Sequence, residues 1–179
     1  MAQGDWKGAI LFAYYTGARL SDVANITGDS IDLEKRVITF VPGKTRRMRK
    51  QLVIPLHPDL QRVLLEKLGV GKAFLFPSLA GRPTGGKTGL SGQFGKIMSA
   101  AGIVGATTRH TPQGRQNKSL SFHSLRHSFN SAMANAGVSQ EIRQKLTGHA
   151  SADMNTIYTH HEIEPLRLAI GKIPGIESR

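Results

Sequence analysis

Residues 122–136 read Phe-His-Ser-Leu-Arg-His-Ser-Phe-Asn-Ser-Ala-Met-Ala-Asn-Ala. Leu125, Phe129, Ala132, Met133 and Ala136 recur at helical spacing, which predicts an amphipathic helix ended by Gly137. Three ionisable groups ride on that helix. His123, Arg126 and His127 fall at i, i+3 and i+4, so they share one face beside the Leu125/Phe129 stripe. Two histidines and an arginine repel one another when protonated and are expensive to bury. The cluster suits an anionic ligand, against the alternative of a hydrogen-bonded structural group. A zinc site lacks a third carboxylate or thiolate ligand nearby, and the adjacent arginine opposes a cation.

Downstream of this helix, Ser139 is placed to cap another that runs through Leu146. A further helix is expected over about 151–160, carrying Ile157 and Tyr158, and EPLRLAIGK predicts a last short one. Upstream, residues 104–120 are polar and irregular, 77–89 form a Gly/Pro-rich loop, and a helix runs from Ser91 to about Ala101. Pro58 and Asp59 open a helix with Leu60, Val63, Leu64 and Leu68 on one side. Arg36–Val41 and Gln51–Pro55 are β-rich runs around Pro42-Gly43 and a basic tip, which predicts a β-hairpin. TGDSIDLEKR (27–36) reads as a turn, Ser21 as the cap of a short helix over Asp22–Asn25, and 5–16 as a helix stopped by Gly17. The expected fold class is α+β, mainly helical with a small antiparallel β-hairpin in the N-terminal third.

The charge is distributed in long tracts. The 179 residues carry 24 Lys+Arg against 12 Asp+Glu, a formal net charge of +12, and no cysteine. Between Lys67 and Gln140 there is no Asp or Glu, and Lys35–Pro58 is a second acid-free run. Tracts of one sign call for a partner of opposite charge, and a polyphosphate backbone is the commonest; a merely soluble basic surface is the alternative. The absence of cysteine excludes disulfide scaffolds, thiolate zinc sites and thiol nucleophiles. No apolar run reaches the ~20 residues of a membrane helix, and the N-terminus lacks a signal-peptide pattern, so a cytoplasmic protein is expected.

Other groups have two readings each. Arg19, after a Thr-Gly pair, stands three residues before Asp22: an exposed helical ion pair, or an arginine aimed at a phosphate and steadied by a carboxylate. Lys44 at the hairpin tip is solvated by default, His149 in Leu146-Thr-Gly-His structural, and Tyr158 a hydrogen-bonded core tyrosine. In order, however, Gly17-Ala-Arg19-Leu-Ser-Asp22, a hairpin lysine, His-x-x-Arg, Gly-His and a C-terminal Tyr resemble the tyrosine recombinase (phage integrase) family. The resemblance runs from about Tyr15 to His160.

That resemblance implies a role for each residue. Tyr158 would attack a scissile phosphodiester, leaving a 3′-phosphotyrosyl bond and a free 5′-hydroxyl; covalent catalysis conserves the bond energy, so no ATP, metal or other cofactor is implied. Arg19 and Arg126 would clamp the non-bridging oxygens, and His149 would add a hydrogen bond. His123 would be the general base, Lys44 (or Lys50 of the same hairpin) the general acid, and Asp22 a supporting carboxylate. Arg46, Arg47, Arg49, Lys50, Lys87, Arg109, Arg115 and Lys118 would contact DNA. His127 and His160 belong to the motifs without a chemical role.

The family usually carries a separate N-terminal DNA-gripping domain, yet 18 residues precede Arg19. Residues 1–179 are therefore expected to be a catalytic domain without its core-binding partner, as a fragment or a reduced form. The implied partner is double-stranded DNA, with a tetramer on DNA, a monomer without it and no membrane. The 162–179 tail is either exchanged between protomers or packed in cis. The source implied is bacterial, archaeal or phage-encoded, with the protein on the nucleoid. A type IB topoisomerase shares this chemistry. A regulator that binds DNA without cutting it is opposed by the intact residue set, and a two-metal nuclease by the sparse carboxylates.

Overall fold

The computed structural model describes residues 2–43, 51–68, 73–86, 88–110, 116–148 and 160–176. Helix α1 (Asp5–Thr16) is apolar on most sides, and the fold accordingly surrounds it, burying Ala9, Phe12, Ala13 and Tyr15. It packs on α5 (His123–Asn135), on α3 (Pro58–Leu65) and on the short α2 (Leu20–Ala24). Gly17 ends α1 in the left-handed region (φ 63°), where its N–H returns to the Ala13 carbonyl.

The chain re-enters a helix at once, and this displaces the expected cap. Arg19, in extended conformation, is the N-cap of α2, and Ser21 lies inside the first turn. The segment expected as a turn contains more order than that: a 3₁₀ turn (Gly28–Ser30) and then β1 (Ile31–Asp32), paired antiparallel with β2 (Val37–Phe40). Two residues are too few to show alternation, so only the free edge of β2 defines β1 as a strand. The predicted hairpin is present, with Ile38 opposite Ile54 and Phe40 opposite Leu52 of β3 (Leu52–Pro55). The sheet order is β1-β2-β3, and Ile38 and Ile54 are fully buried.

Leu60 and Leu64 bury one face of α3, and α4 (Leu90–Ala100) starts one residue before Ser91. Phe94 of α4 meets Phe122 edge-on at 5.1 Å, with Trp6 of α1 at 6.0 Å from Phe94. Residues 104–120, expected to be irregular, hold a two-stranded antiparallel ribbon of β4 (Thr107–His110) and β5 (Gln116–Lys118). Its residues are polar on both faces, so no apolar alternation announces it.

Helix α5 buries Phe129 and Met133, and the Ser139 side chain caps α6 (Gln140–Thr147) by accepting from the Ile142 N–H. The expected 151–160 helix lies outside the described residues up to 159; His160 opens α7 (His160–Gly171), longer than the short helix predicted. Leu166, Ile170 and Ile173 are buried, whereas Leu168 is exposed. No helix of the described residues is long and apolar enough to cross a membrane.

Candidate active site

Arg126 organises the site. It is only 7% exposed, and its guanidinium donates from Nη1 to the Gly17 carbonyl (2.7 Å) and from Nη2 to the Thr147 carbonyl. Those two oxygens stand at the ends of α1 and α6, where helix carbonyls lack intrahelical partners and the helix carries partial negative charge. A buried guanidinium with several donors satisfies both at once. The two helix ends have the same construction. Thr16 and Thr147 each return their hydroxyl to a carbonyl one turn back (Phe12, 2.6 Å; Arg143, 2.7 Å), and each precedes a left-handed glycine (Gly17, φ 63°; Gly148, φ 64°).

Gly17 cannot be exchanged for a larger residue without disturbance. A Cβ there would lie 2.6 Å from Cδ1 of Phe129, one helical turn from Arg126 on α5. Burial pushes the Arg126 guanidinium down to a pKa of about 10, the neighbouring Arg19 adds to this, and Asp22 opposes it. The group remains a cation at neutral pH.

Arg19, half-buried, and Asp22 flank Arg126 from α2. Asp22 also reaches elsewhere. Its Oδ1 accepts the N–H of Gly43 at 2.9 Å, tying α2 to the base of the hairpin one residue before Lys44. Beside it opens a groove of about 760 Å³ lined by Ser21, Asp22, Asn25, Phe40, Val41 and Gly43.

The shared face predicted on α5 is corrected in one respect. His123 and His127 are exposed neighbours, with ring centroids 4.9 Å apart and nearly perpendicular, but Arg126 turns inward beside Phe129. At about 100° per residue, Arg126 and His127 are a quarter-turn apart, enough for one to be buried while the other meets solvent. Lys44, Arg46, Arg47, Arg49, Lys50, Lys87, Arg115, His149 and Tyr158 lie outside the described residues; Arg109 and Lys118 are placed by backbone on β4 and β5. The described site thus brings together Arg19, Asp22 and Arg126, with His123 one turn before Arg126 on α5. Among the described residues, no group of His, Asp and Glu is arranged to hold a metal ion.

Side-chain reading misses the Gly17 and Thr147 carbonyls and the Gly43 N–H, because they are main-chain groups. The one sequence signal was the repeated Thr-Gly pair at two helix ends.

Residues 4–164, the span that carries this arrangement, match the phage integrase family. The chain belongs to that family. Among its relatives, tyrosine recombinase XerD of Bifidobacterium longum (strain NCC 2705) is 28% identical over 160 residues, covering 89% of this chain and 51% of the relative. Tyrosine recombinase XerC of Lactobacillus leichmannii is also 28% identical, over 89% of this chain and 52% of its own. The chain therefore spans about half the length of these relatives. Among solved structures, the integrase from mycobacterium phage Brujita is 25% identical with a TM-score of 0.69, covering 100% of this chain and 55% of that one. The Tn1549 transposon integrase, solved in complex with transposon right end DNA, shares the fold at 23% identity and a TM-score of 0.56, over 92% of this chain and 59% of its own. The mainly helical integrase architecture expected from the motifs, with its small antiparallel sheet, is the one observed.

Proposed function

We propose that this chain is the catalytic domain of a tyrosine recombinase that cuts and rejoins double-stranded DNA through a 3′-phosphotyrosyl intermediate. The observation that carries the reading is the buried Arg126, held by two helix ends against Arg19 and Asp22 in a chain of the phage integrase family. Two guanidiniums side by side are unfavourable unless an anion comes between them, and a phosphodiester acquires its greatest charge in the transition state.

In this reading Tyr158 is the nucleophile. Its oxygen bonds to phosphorus as the bond to the 5′-oxygen breaks; His123 takes the phenolic proton and Lys44, with Lys50 as substitute, protonates the leaving oxygen. Arg19, Arg126 and His149 hold the non-bridging oxygens. Rejoining reverses these steps and needs no metal, ATP or other cofactor. Arg46, Arg47, Arg49, Lys50, Lys87, Arg109, Arg115 and Lys118 contact the duplex, within two tracts that lack acidic residues. The protein acts in the cytoplasm, on the nucleoid of a bacterium or archaeon, as a monomer that assembles into a tetramer on DNA.

The test is a nicked suicide duplex carrying the protein's site, incubated with the chain and resolved on a denaturing gel. A covalent adduct that persists in EDTA and disappears in Tyr158→Phe is expected. An adduct that survives Tyr158→Phe overturns the nucleophile assignment, and one that requires a metal overturns the mechanism.

A further inference from the structure

A second cluster of ionisable groups, with Tyr15 and His57 buried, lies away from Arg126. The segment after α7, Lys172–Ile176, returns to the junction of α1 and α3, where Tyr15, His57 and Asp59 receive it. The His57 ring is 6% exposed and stacks on Tyr15 with centroids 4.2 Å apart and planes 13° from parallel. Its Nε2 lies 3.1 Å from the Ile173 carbonyl, and its Nδ1 accepts the Asp59 N–H at 3.2 Å. The Tyr15 hydroxyl donates to Asp59 Oδ2 (2.9 Å) and accepts the N–H of Ile176 (3.0 Å). Gly175 passes so close that a Cβ would meet Asp59 Oδ2 at 2.9 Å.

These partners prescribe one protonation state. A carbonyl only accepts, so Nε2 must carry the hydrogen; an amide only donates, so Nδ1 must be bare. His57 is therefore neutral, one nitrogen holding the C-terminal segment and the other capping α3. We infer that His57 is a proton-sensitive latch, which holds the C-terminal segment against α1 and α3 while neutral and releases it on protonation.

A proton on Nδ1 would set N–H against N–H at the positive end of α3. It would also draw the Asp59 carboxylate, whose Oδ2 is 4.0 Å from Nδ1, away from Tyr15. The groups acting on His57 are Asp59 and the Ile173 carbonyl, which favour protonation, and Arg62, which opposes it; α1 presents the phenols of Tyr14 and Tyr15. Burial dominates and keeps the ring neutral to lower pH than a free histidine. The segment leaves from the end of α1 that supplies Gly17, so its release bears on the helix end that holds Arg126.

The test is amide hydrogen exchange at Ile173 and Ile176 in the full chain between pH 8 and 4.5, corrected for intrinsic rates. Protection in the wild type is expected to fall by about tenfold or more as His57 protonates. In His57→Gln, whose amide donates and accepts without titrating, protection is expected to stay constant. Constant protection in the wild type, or the same fall in His57→Gln, overturns the latch. Nitrogen-15 imidazole spectra give a second reading independent of any variant: a His57 bearing its hydrogen on Nδ1 at pH 8 also overturns it.

Discussion

Arg126 donates to the main-chain oxygen of Gly17 at 2.7 Å across 109 residues of sequence, and this bond makes the end of α1 part of the candidate active site. The same guanidinium holds the Thr147 carbonyl, two residues before His149. One side chain therefore ties α1, α5 and α6 together.

Arg126→Lys keeps a positive charge but removes the fork. An ammonium cannot bridge two carbonyls and a phosphate in fixed geometry. Cleavage of a nicked duplex is expected to fall about 10²–10³-fold, the size of losing one donor to a developing oxyanion. Thermal stability should also decline, because a carbonyl left unpaired costs about 1–3 kcal/mol. Binding in a gel-shift assay should weaken little, since many other phosphate contacts supply affinity. A variant that cleaves at the wild-type rate would show that Arg126 is only structural.

Gly17→Ala tests the helix end itself. The left-handed φ of 63° and the 2.6 Å approach to Phe129 both penalise a Cβ. A cost of about 2–3 kcal/mol is expected from strain and overpacking together. At about 2–4 °C per kcal/mol for a chain of this size, the melting temperature should drop by roughly 4–12 °C. Activity measured well below the transition should fall as well, because the displaced carbonyl orients Arg126.

Asp22→Ala separates two ways in which the carboxylate could act. Asp22 faces Arg126, and it also binds Gly43 beside Lys44. If its main effect is to place the hairpin lysine, cleavage should fall about 10²-fold, the lower range for losing general acid catalysis. A substrate with sulfur at the 5′-bridging position has a leaving group that needs no proton, and should restore most of that loss. A defect of the same size on the sulfur substrate assigns the effect to the two arginines.

Alkaline stability should report Tyr15. Burial, aided by the Asp59 carboxylate and opposed by the Ile176 N–H, raises its phenol to a pKa of about 12. The folded value lies above the unfolded value of about 10, so the contribution is complete below pH 10 and is lost as pH rises towards 12. Denaturant titrations should show this decline in the wild type and a flatter profile in Tyr15→Phe. Phenolate absorbance should show Tyr15 ionising well after a free tyrosine.

Much of this molecule was legible in its residues. Apolar spacing located α1, α3 and α5, the Ser139 cap located α6, a start at Ser91 placed α4, and the hairpin appeared as two β-rich runs flanking Pro-Gly. Reading failed where that signal was absent. Strand β1 is two residues long, the β4–β5 ribbon has no apolar face, and Ser21 yielded the cap of α2 to Arg19.

The candidate site divides along the same line. Sequence alone nominated the side chains proposed to carry the chemistry, since Arg19, Asp22, His123 and Arg126 stand out by type, order and spacing. Only the tertiary structure decided that Arg126 turns inward while His127 stays in solvent, and that the C-terminal segment rests on His57 and Tyr15. The partners that impose this are main-chain carbonyls and amides, which every residue possesses. They acquire a specific role only when folding brings helix ends and chain termini together, and no residue type marks them beforehand.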